Sequence, residues 1–498
     1  MSYLELLKLA MPEAIVLVTA LVVLTIGLTS GRRTAEAEAI TGNARAAKAL
    51  CTLVAAVGLV VAIGSVLMLP QSSNLFGGML VISPLNSLFK IVCLALALAT
   101  VLLAISDKSV RHYAEYLATL LFAAIGLMLL VGSEELLMIF IGLELLGLSL
   151  YVLTAFDRTS IRSAEAGLKY FLFGSTASAF TLFGISLIYG LSGSTALAGI
   201  APKISEAAHQ PLLAAGIIMT LVGFAFKITA APFHLWAPDA YQGAPASSGA
   251  FIASGSKVAS FVVLGKIVLV GFATAHGSAN WHAMIGGWSP LLAALAALSI
   301  LLGNFVALAQ TNVRRLLAYS AVAHTGYTLI GIIAGTSAGF AAALFYTTVY
   351  AITLIGAFGV CGAVRAETGD DDLKNFAGLS TDSPFLAGCM AIFLLSLAGI
   401  PPLAGFFGKF YLFSTALSRG PSQGLIWLVA VALFGSFISL YYYLMVLKTI
   451  WVDRTTAQHP ALHPAASARA VLLVTAVAVL VLGLLPESLV RQITFSLR

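Results

Sequence analysis

The sequence predicts an all-α polytopic membrane protein of about 14 transmembrane helices, built as two inverted five-helix repeats (spans 4–8 and 9–13) with breaks in helices 7 and 12. Three observations carry that prediction. The chain of 498 residues is 60% hydrophobic and only 9% charged, against roughly 25% charged for an ordinary soluble domain. Its apolar runs recur at membrane-crossing length, and two of them contain prolines beside a lysine. So few charges cannot cover a water-soluble surface of this size, so the solvent is lipid.

A ~30 Å hydrocarbon core needs about 20 mostly apolar residues per crossing. Such runs lie near 12–30, 48–69, 85–106, 113–131, 135–156, 165–191, 211–232, 247–274, 290–309, 316–334, 338–364, 383–418, 424–450 and 469–487. Lipid offers backbone amides no partners, so runs of this length are helices. The first, Ala14 to Ser30, ends in Gly31-Arg32-Arg33 without a small-x-small cleavage pattern and reads as a retained helix.

Orientation follows from the basic residues in short loops. Loops after odd-numbered spans carry Arg32, Arg33, Arg45, Lys48, Lys108, Arg111, Arg158, Arg162, Arg314, Arg315, Arg365, Lys374, Arg454 and Arg469. Those after even-numbered spans offer only Lys203 and Arg419. That bias places the chain in a bacterial inner membrane with both termini on the periplasmic side. The domains that follow are 1–112 (three N-terminal helices), 113–274 (first repeat), 290–451 (second, inverted repeat) and 452–498 (C-terminal helix).

Several function classes are disfavoured. The basic residues are scattered rather than clustered, which does not suit nucleic acid. No stretch long enough for a soluble catalytic domain is present, and the GxGxxG and Walker patterns are absent. Cys51, Cys93, Cys361 and Cys389 sit in apolar runs without CxxC spacing, so they read as packing residues rather than metal or iron–sulfur ligands.

Span 7 holds Pro232 and Pro238, and span 12 holds Pro401-Pro402. A proline inside a helix removes a hydrogen bond and costs about 3 kcal/mol. At membrane depth, freed backbone groups are tolerated where they line a cavity. Each break has a lysine beside it, Lys227 and Lys409. The breaks lie five spans apart, an odd number, so equivalent helices of the two halves point in opposite directions. Paired interrupted helices in inverted halves point to an ion site at the midplane. The plainer alternative is two proline kinks between packed helices.

Counting about 1.5 Å per residue, Glu144, Lys227, Lys257, His324 and Lys409 all fall near the bilayer centre, on different helices. A charge there costs about 2.5–3.5 kcal/mol even on insertion scales, so four cost on the order of 10–14 kcal/mol unless they face one another or internal water. Burial disfavours a charged lysine and a nearby carboxylate favours it, which makes the pair suited to loading and releasing protons. At about 7 Å and an effective dielectric of 20, a carboxylate stabilises an ammonium by ~2.4 kcal/mol. A static ion pair accounts for one lysine, whereas three lysines to one glutamate leave an excess. Glu144, Lys227, Lys257, His324 and Lys409 therefore read as a proton relay in one file, with neighbours about 6–12 Å apart. His234, just past Pro232, is a relay candidate or a cap for the broken helix. Asp239 is a candidate proton inlet. Lys266 is expected to snorkel, and Glu115, Glu134, Glu135 and Glu165 to be hydrated at span ends.

At these residues the sequence resembles the antiporter-like subunits of respiratory complex I, the proton-pumping NADH:quinone oxidoreductase, and among them subunit N. The segments that carry the resemblance are FIGLELLGLSLYVL, AEAGLKYFLFGSTASAFTLFGISLIYGLSGST, FKITAAPFHLWAPDAYQGAP, NVRRLLAYSAVAHTGY and LAGIPPLAGFFGKFYLF, within about residues 80–450. It implies that Glu144 is the family's span 5 glutamate, Lys227 its span 7 lysine, Lys257 its connecting span 8 lysine and Lys409 its span 12 lysine. It implies proton translocation driven by quinone reduction elsewhere, with other membrane and peripheral subunits as partners. Those partners hold the FMN, iron–sulfur clusters and quinone, and this chain has no cofactor of its own. A cation/proton antiporter subunit of a multi-subunit complex shares the fold and is the alternative. A scaffold role leaves the central charges unexplained.

Overall fold

Hydrocarbon leaves a backbone amide only its own helix as partner, and the described residues are accordingly mostly helical. The computed structural model describes residues 7–35, 41–205, 211–417, 424–453 and 464–497, without the side chains of 30–35 and 41–45. The first half runs α1 (Met11–Ala35), α2 (Thr41–Leu67), a two-stranded hairpin β1 (Ser73–Leu75) and β2 (Leu80–Ile82), α3 (Pro84–Ala104), α4 (Tyr113–Gly132), α5 (Leu136–Thr154), α6 (Ile161–Ser192), α7 (Leu197–Ile204), α8 (Pro211–Lys227), α9 (Ala237–Gly243), α10 (Ala246–Ala253) and α11 (Gly255–Lys266). A π-helical turn, Ile267–Gly271, and a second hairpin, β3 (Ser278–Asn280) with β4 (Ala283–Ile285), lead into the rest. There follow α12 (Trp288–Leu308), α13 (Val313–Ile333), α14 (Ser337–Thr368), α15 (Leu379–Asp382), α16 (Pro384–Ala398), α17 (Ala404–Leu417), α18 (Ile426–Trp451), α19 (Ala466–Leu484) and α20 (Glu487–Ser496).

Among the described residues, 12 helical segments are long and apolar enough to cross a membrane, with α8 and α16 as shorter apolar helices. Lipid supplies no hydrophobic drive between helices, so close approach depends on small residues. In the α4–α5 contact a Cβ on Gly126 would lie 2.7 Å from the Leu146 nitrogen; between α12 and α13 a Cβ on Gly303 would lie 2.5 Å from the Ala323 nitrogen. Helix starts are closed by side chains. Ser83, Glu135, Ser160, Asn312 and Thr336 accept from first-turn amides of α3, α5, α6, α13 and α14, each contributing about 1 kcal/mol. Glu135 thus departs from its expected hydration: it is buried because both carboxylate oxygens serve the Leu137 and Met138 amides.

Three further expectations need correction. Span 8 is not one helix, because Ser254 (φ −112°, ψ −83°) separates α10 from α11. Lys266 does not snorkel; it is 5% exposed. α11 packs against α3, α4 and α14 and has no lipid face along which the side chain could climb. Arg314, counted among solvated loop charges, is fully buried in the first turn of α13, a helix enclosed by its neighbours.

Candidate proton path

The first interruption begins where α8 ends at Lys227. Thr229 adopts a left-handed conformation (φ 64°), Ala231–Pro232 is cis, and helix resumes at Ala237. Left-handed backbone is uncommon for a non-glycine residue and persists where surroundings hold it. Here they do: Ser299 of α12 accepts from the Ala231 amide at 2.8 Å, and Thr325 of α13 donates to the Ile228 carbonyl at 2.5 Å. Trp236 Nε1 donates to the Phe226 carbonyl at 3.2 Å. Freed backbone groups are thus satisfied both by the other half of the chain and by Trp236 within the interruption itself.

Lys227 is 1% exposed and its Nζ makes no hydrogen bond among the described residues. Its ammonium lies 5.8 Å from the Tyr151 ring centre and 5.7 Å from that of Tyr170, an aromatic cradle that favours a cation. Glu144 is within electrostatic reach of it. That carboxylate is only half-buried and accepts from Ser178 of α6.

Lys257 stands in the first turn of α11, just past the Ser254 break. Its Nζ donates to the Ala321 carbonyl at 2.7 Å and to Thr325 Oγ1 at 3.1 Å. Thr325 therefore touches both Lys257 and the residue after Lys227. Tyr350 lies between the next pair, with its ring 5.3 Å from Lys257 Nζ and 4.9 Å from the His324 ring. His324 Nδ1 and Nε2 meet the hydroxyls of Tyr346 (2.6 Å) and Tyr443 (3.0 Å). A neutral imidazole has one N–H, so one tyrosine accepts while the other donates.

The second interruption lies between α16 and α17. Gly399 caps α16 in left-handed conformation (φ 85°), its amide bonded to Leu395 and Ser396 carbonyls. A Cβ on Gly405 would lie 1.9 Å from the Ser396 carbonyl oxygen, so only glycine permits the fold-back. Lys409 then donates to the Ala398 carbonyl (3.1 Å) and Ser436 Oγ (2.8 Å), with Tyr327 5.2 Å beneath it. Tyr327 is also 5.6 Å from His324, ring to ring. Contacts thus link Lys257, His324 and Lys409 through Tyr350 and Tyr327, Thr325 joins Lys257 to Ile228, the residue after Lys227, and half-buried Glu144 lies within electrostatic reach of Lys227.

The remaining candidates sit elsewhere. His234 is buried in the first interruption, its ring 6.3 Å from Tyr319 and its Nδ1 without a hydrogen-bond partner among the described residues. Asp239 is held by Arg315 (2.6 Å) and Lys169 (2.8 Å). Arg314 binds Asp371 at 2.6 Å and the carbonyls of Gln242 (2.7 Å) and Ala244 (2.8 Å), fixing the turn between α9 and α10.

Sequence reasoning missed the linking residues Thr325, Tyr350, Tyr327 and Tyr443. Their signal was present as polar groups inside apolar spans, yet hydroxyls cost little there and stand out less than lysine. It also missed Lys90, a charge inside span 3 that the depth rule could have found.

Comparison with known proteins places this arrangement. Residues 133–439 match the family described as NADH:quinone oxidoreductase/Mrp antiporter, TM. The NADH-quinone oxidoreductase subunit N 2 of Acidobacterium capsulatum is 47% identical over 501 aligned positions, covering 98% of this chain and 99% of that one. A chain of respiratory complex I from Thermus thermophilus superposes with a TM-score of 0.76 at 32% identity, covering 96% and 98% of the two chains. A chain of the Mrp complex from Dietzia superposes with a TM-score of 0.80 at 21% identity over 99% and 97%, a likeness of fold. Matched through both interruptions and nearly end to end, the chain belongs to the NADH:quinone oxidoreductase/Mrp antiporter family, among its subunit N members.

Proposed function

We propose that the chain is the proton-translocating subunit N of a bacterial NADH:quinone oxidoreductase, a non-redox translocase driven by quinone reduction in its partners. The observation that carries the reading is the set of buried lysines Lys227, Lys257 and Lys409, none in an ion pair within 4 Å among the described residues. A cation without a fixed counter-charge at this depth is costly unless it can give up its proton. Glu144, Lys227, Lys257, His324 and Lys409 act as the relay, with His234 as a side branch at the first interruption. Protons hop through bound water together with Thr325 Oγ1 beside Lys257 and the Tyr346 and Tyr443 hydroxyls beside His324, while Tyr350 and Tyr327 face the lysines with their rings.

The fine architecture belongs to the same proposal. Counting α8–α9 and α16–α17 as two broken spans brings the number of crossings to 14, with five-helix repeats over 113–274 and 290–451 flanked by 1–112 and 452–498. The matching glycine contacts of α4–α5 and α12–α13 support that division. Both termini lie in the periplasm of a bacterial inner membrane, as the loop charges indicate. FMN, iron–sulfur clusters and quinone belong to partner subunits. Glu144 is half-buried on a face with exposed Ile141 and Leu148. Since a lipid-facing carboxylate at mid-depth is costly, a neighbouring subunit covers that face.

Purification of the tagged chain in mild detergent tests the assignment. A large complex that oxidises NADH and reduces quinone should accompany it. Recovery of a lone chain exchanging sodium for protons in vesicles would instead support the antiporter reading.

A further inference from the structure

Outside the path lies a second buried charge cluster, where the loop from α4 to α5 meets the first hairpin. Lys266, at the end of α11, donates to Asn86 Oδ1 (2.5 Å) and to the Val131 carbonyl (2.8 Å). Its only carboxylate neighbour within 4 Å among the described residues is Glu134, at 3.7 Å, whose side chain is 41% exposed. Beside it Lys90 binds Glu13 at 2.6 Å, and the other Glu13 oxygen is buried without a partner among the described residues. Lys90 packs on Gly132, the residue after Val131, with room only because Gly132 lacks a Cβ, which would sit 3.0 Å from Lys90 Nζ. The two ammonium groups thus sit against consecutive residues at the end of α4, Val131 and Gly132. The α-helical ladder also loosens directly after Lys266 into the π turn Ile267–Gly271, a feature frequent at functional sites.

We propose that Lys266 and Glu134 are the outer end of a proton route joining Lys257 to the hairpin-bearing surface. The inference rests on the translocase reading above. A purely structural lysine would close directly onto a buried carboxylate, as Lys90 does on Glu13. Lys266 instead takes neutral oxygens as its close partners and leaves its counter-charge at the surface, in contact with water. In the transfer, the Lys266 ammonium passes a proton to the Glu134 carboxylate, directly or through one water. Glu134 releases it to solvent, and the neutral amine is recharged from Lys257. Lys257 lies nine residues earlier on the same buried helix, about 13 Å along its axis and on the opposite face, so this transfer runs around the helix through bridging water. Repulsion from Lys90 favours release from Lys266 over retention.

The test uses the assembled complex in inverted membrane vesicles, with NADH-driven acidification read against NADH oxidation by an artificial acceptor. Lys266→Arg keeps the positive charge and its bonds to Asn86 and Val131, but arginine does not give up its proton. A structural role predicts parental pumping for Lys266→Arg. The relay predicts a loss on the order of tenfold or more, with acceptor activity retained. Glu134→Gln should show the same loss, and Glu134→Asp should keep most of the activity. Parental pumping by an assembled Lys266→Arg complex overturns the proposal. If that variant does not assemble, parental pumping by Glu134→Gln overturns it instead. Lys227→Ala runs in parallel: if it alone loses pumping, only the outer route fails, and if it too pumps fully, the translocase reading fails first.

Discussion

Replacement of Lys227 by alanine should stop coupled turnover while leaving the complex assembled. Its Nζ has no hydrogen bond to lose, and the cradle of Tyr151 and Tyr170 survives its removal. The substitution therefore deletes a proton carrier rather than a structural strut. Proton transfer by a positioned group contributes typically 10²–10⁴-fold, so NADH-driven quinone reduction and acidification should fall on the order of a hundredfold. NADH oxidation by artificial acceptors, which occurs in other subunits, should stay near parental. Glu144→Ala should act in the same direction but less severely. It removes the charge that favours the protonated lysine and leaves the lysine in place. Full pumping by either assembled variant would remove that residue from the path.

The second large effect is on stability. Arg314 is fully buried, bonds Asp371 at 2.6 Å and fills two carbonyls of the turn between α9 and α10. Removing one partner of such a buried pair costs about 3–5 kcal/mol, mostly through the charge left behind. Arg314→Ala should therefore reduce the amount of assembled protein in membranes several-fold, read by native gels and by thermal aggregation of the solubilised complex. Arg314→Lys should rescue little, because one ammonium cannot reproduce the fork that reaches three acceptors. Arg315 supplies the contrast. Its bond to Asp239 is partly exposed, so Arg315→Ala should cost under about 1 kcal/mol. Equal abundance of the two alanine variants would mean that the clamp does not hold the turn.

The membrane class and the long helices could be read from the sequence, because apolar run length is a local signal. The break at Ser254 could not. It carries no proline, and only the packing of α10 and α11 against other elements reveals it. Arg314 and Arg315 adjoin in sequence and look alike there, yet the direction of α13 buries one and leaves the other partly in water. Lys257, Lys227 and Lys409 announced themselves as charges in apolar runs. Their hydroxyl partners did not, since the register that puts Thr325 beside Ile228 is set by contact between halves distant in the chain. Lys266 was misjudged for a related reason: snorkelling presumes a lipid face, and α11 has none.

One hydroxyl described above has more obligations than it can meet. Thr325 accepts from Lys257 at 3.1 Å and has a single proton, while the carbonyls of Ile228 (2.5 Å) and Ala321 (3.0 Å) both lie in its range. While Lys257 is charged, it donates to the hydroxyl and to Ala321, which leaves the hydroxyl's own proton free for Ile228. A neutral Lys257 keeps two N–H donors but adds a lone pair that competes for that proton, which weakens the donor to the carbonyl next to Lys227. The state of one lysine is thereby written into a backbone carbonyl beside another. An isotope label on the Ile228 carbonyl would shift its infrared stretch to higher frequency as Lys257 discharges, giving the two halves a common vibrational reporter.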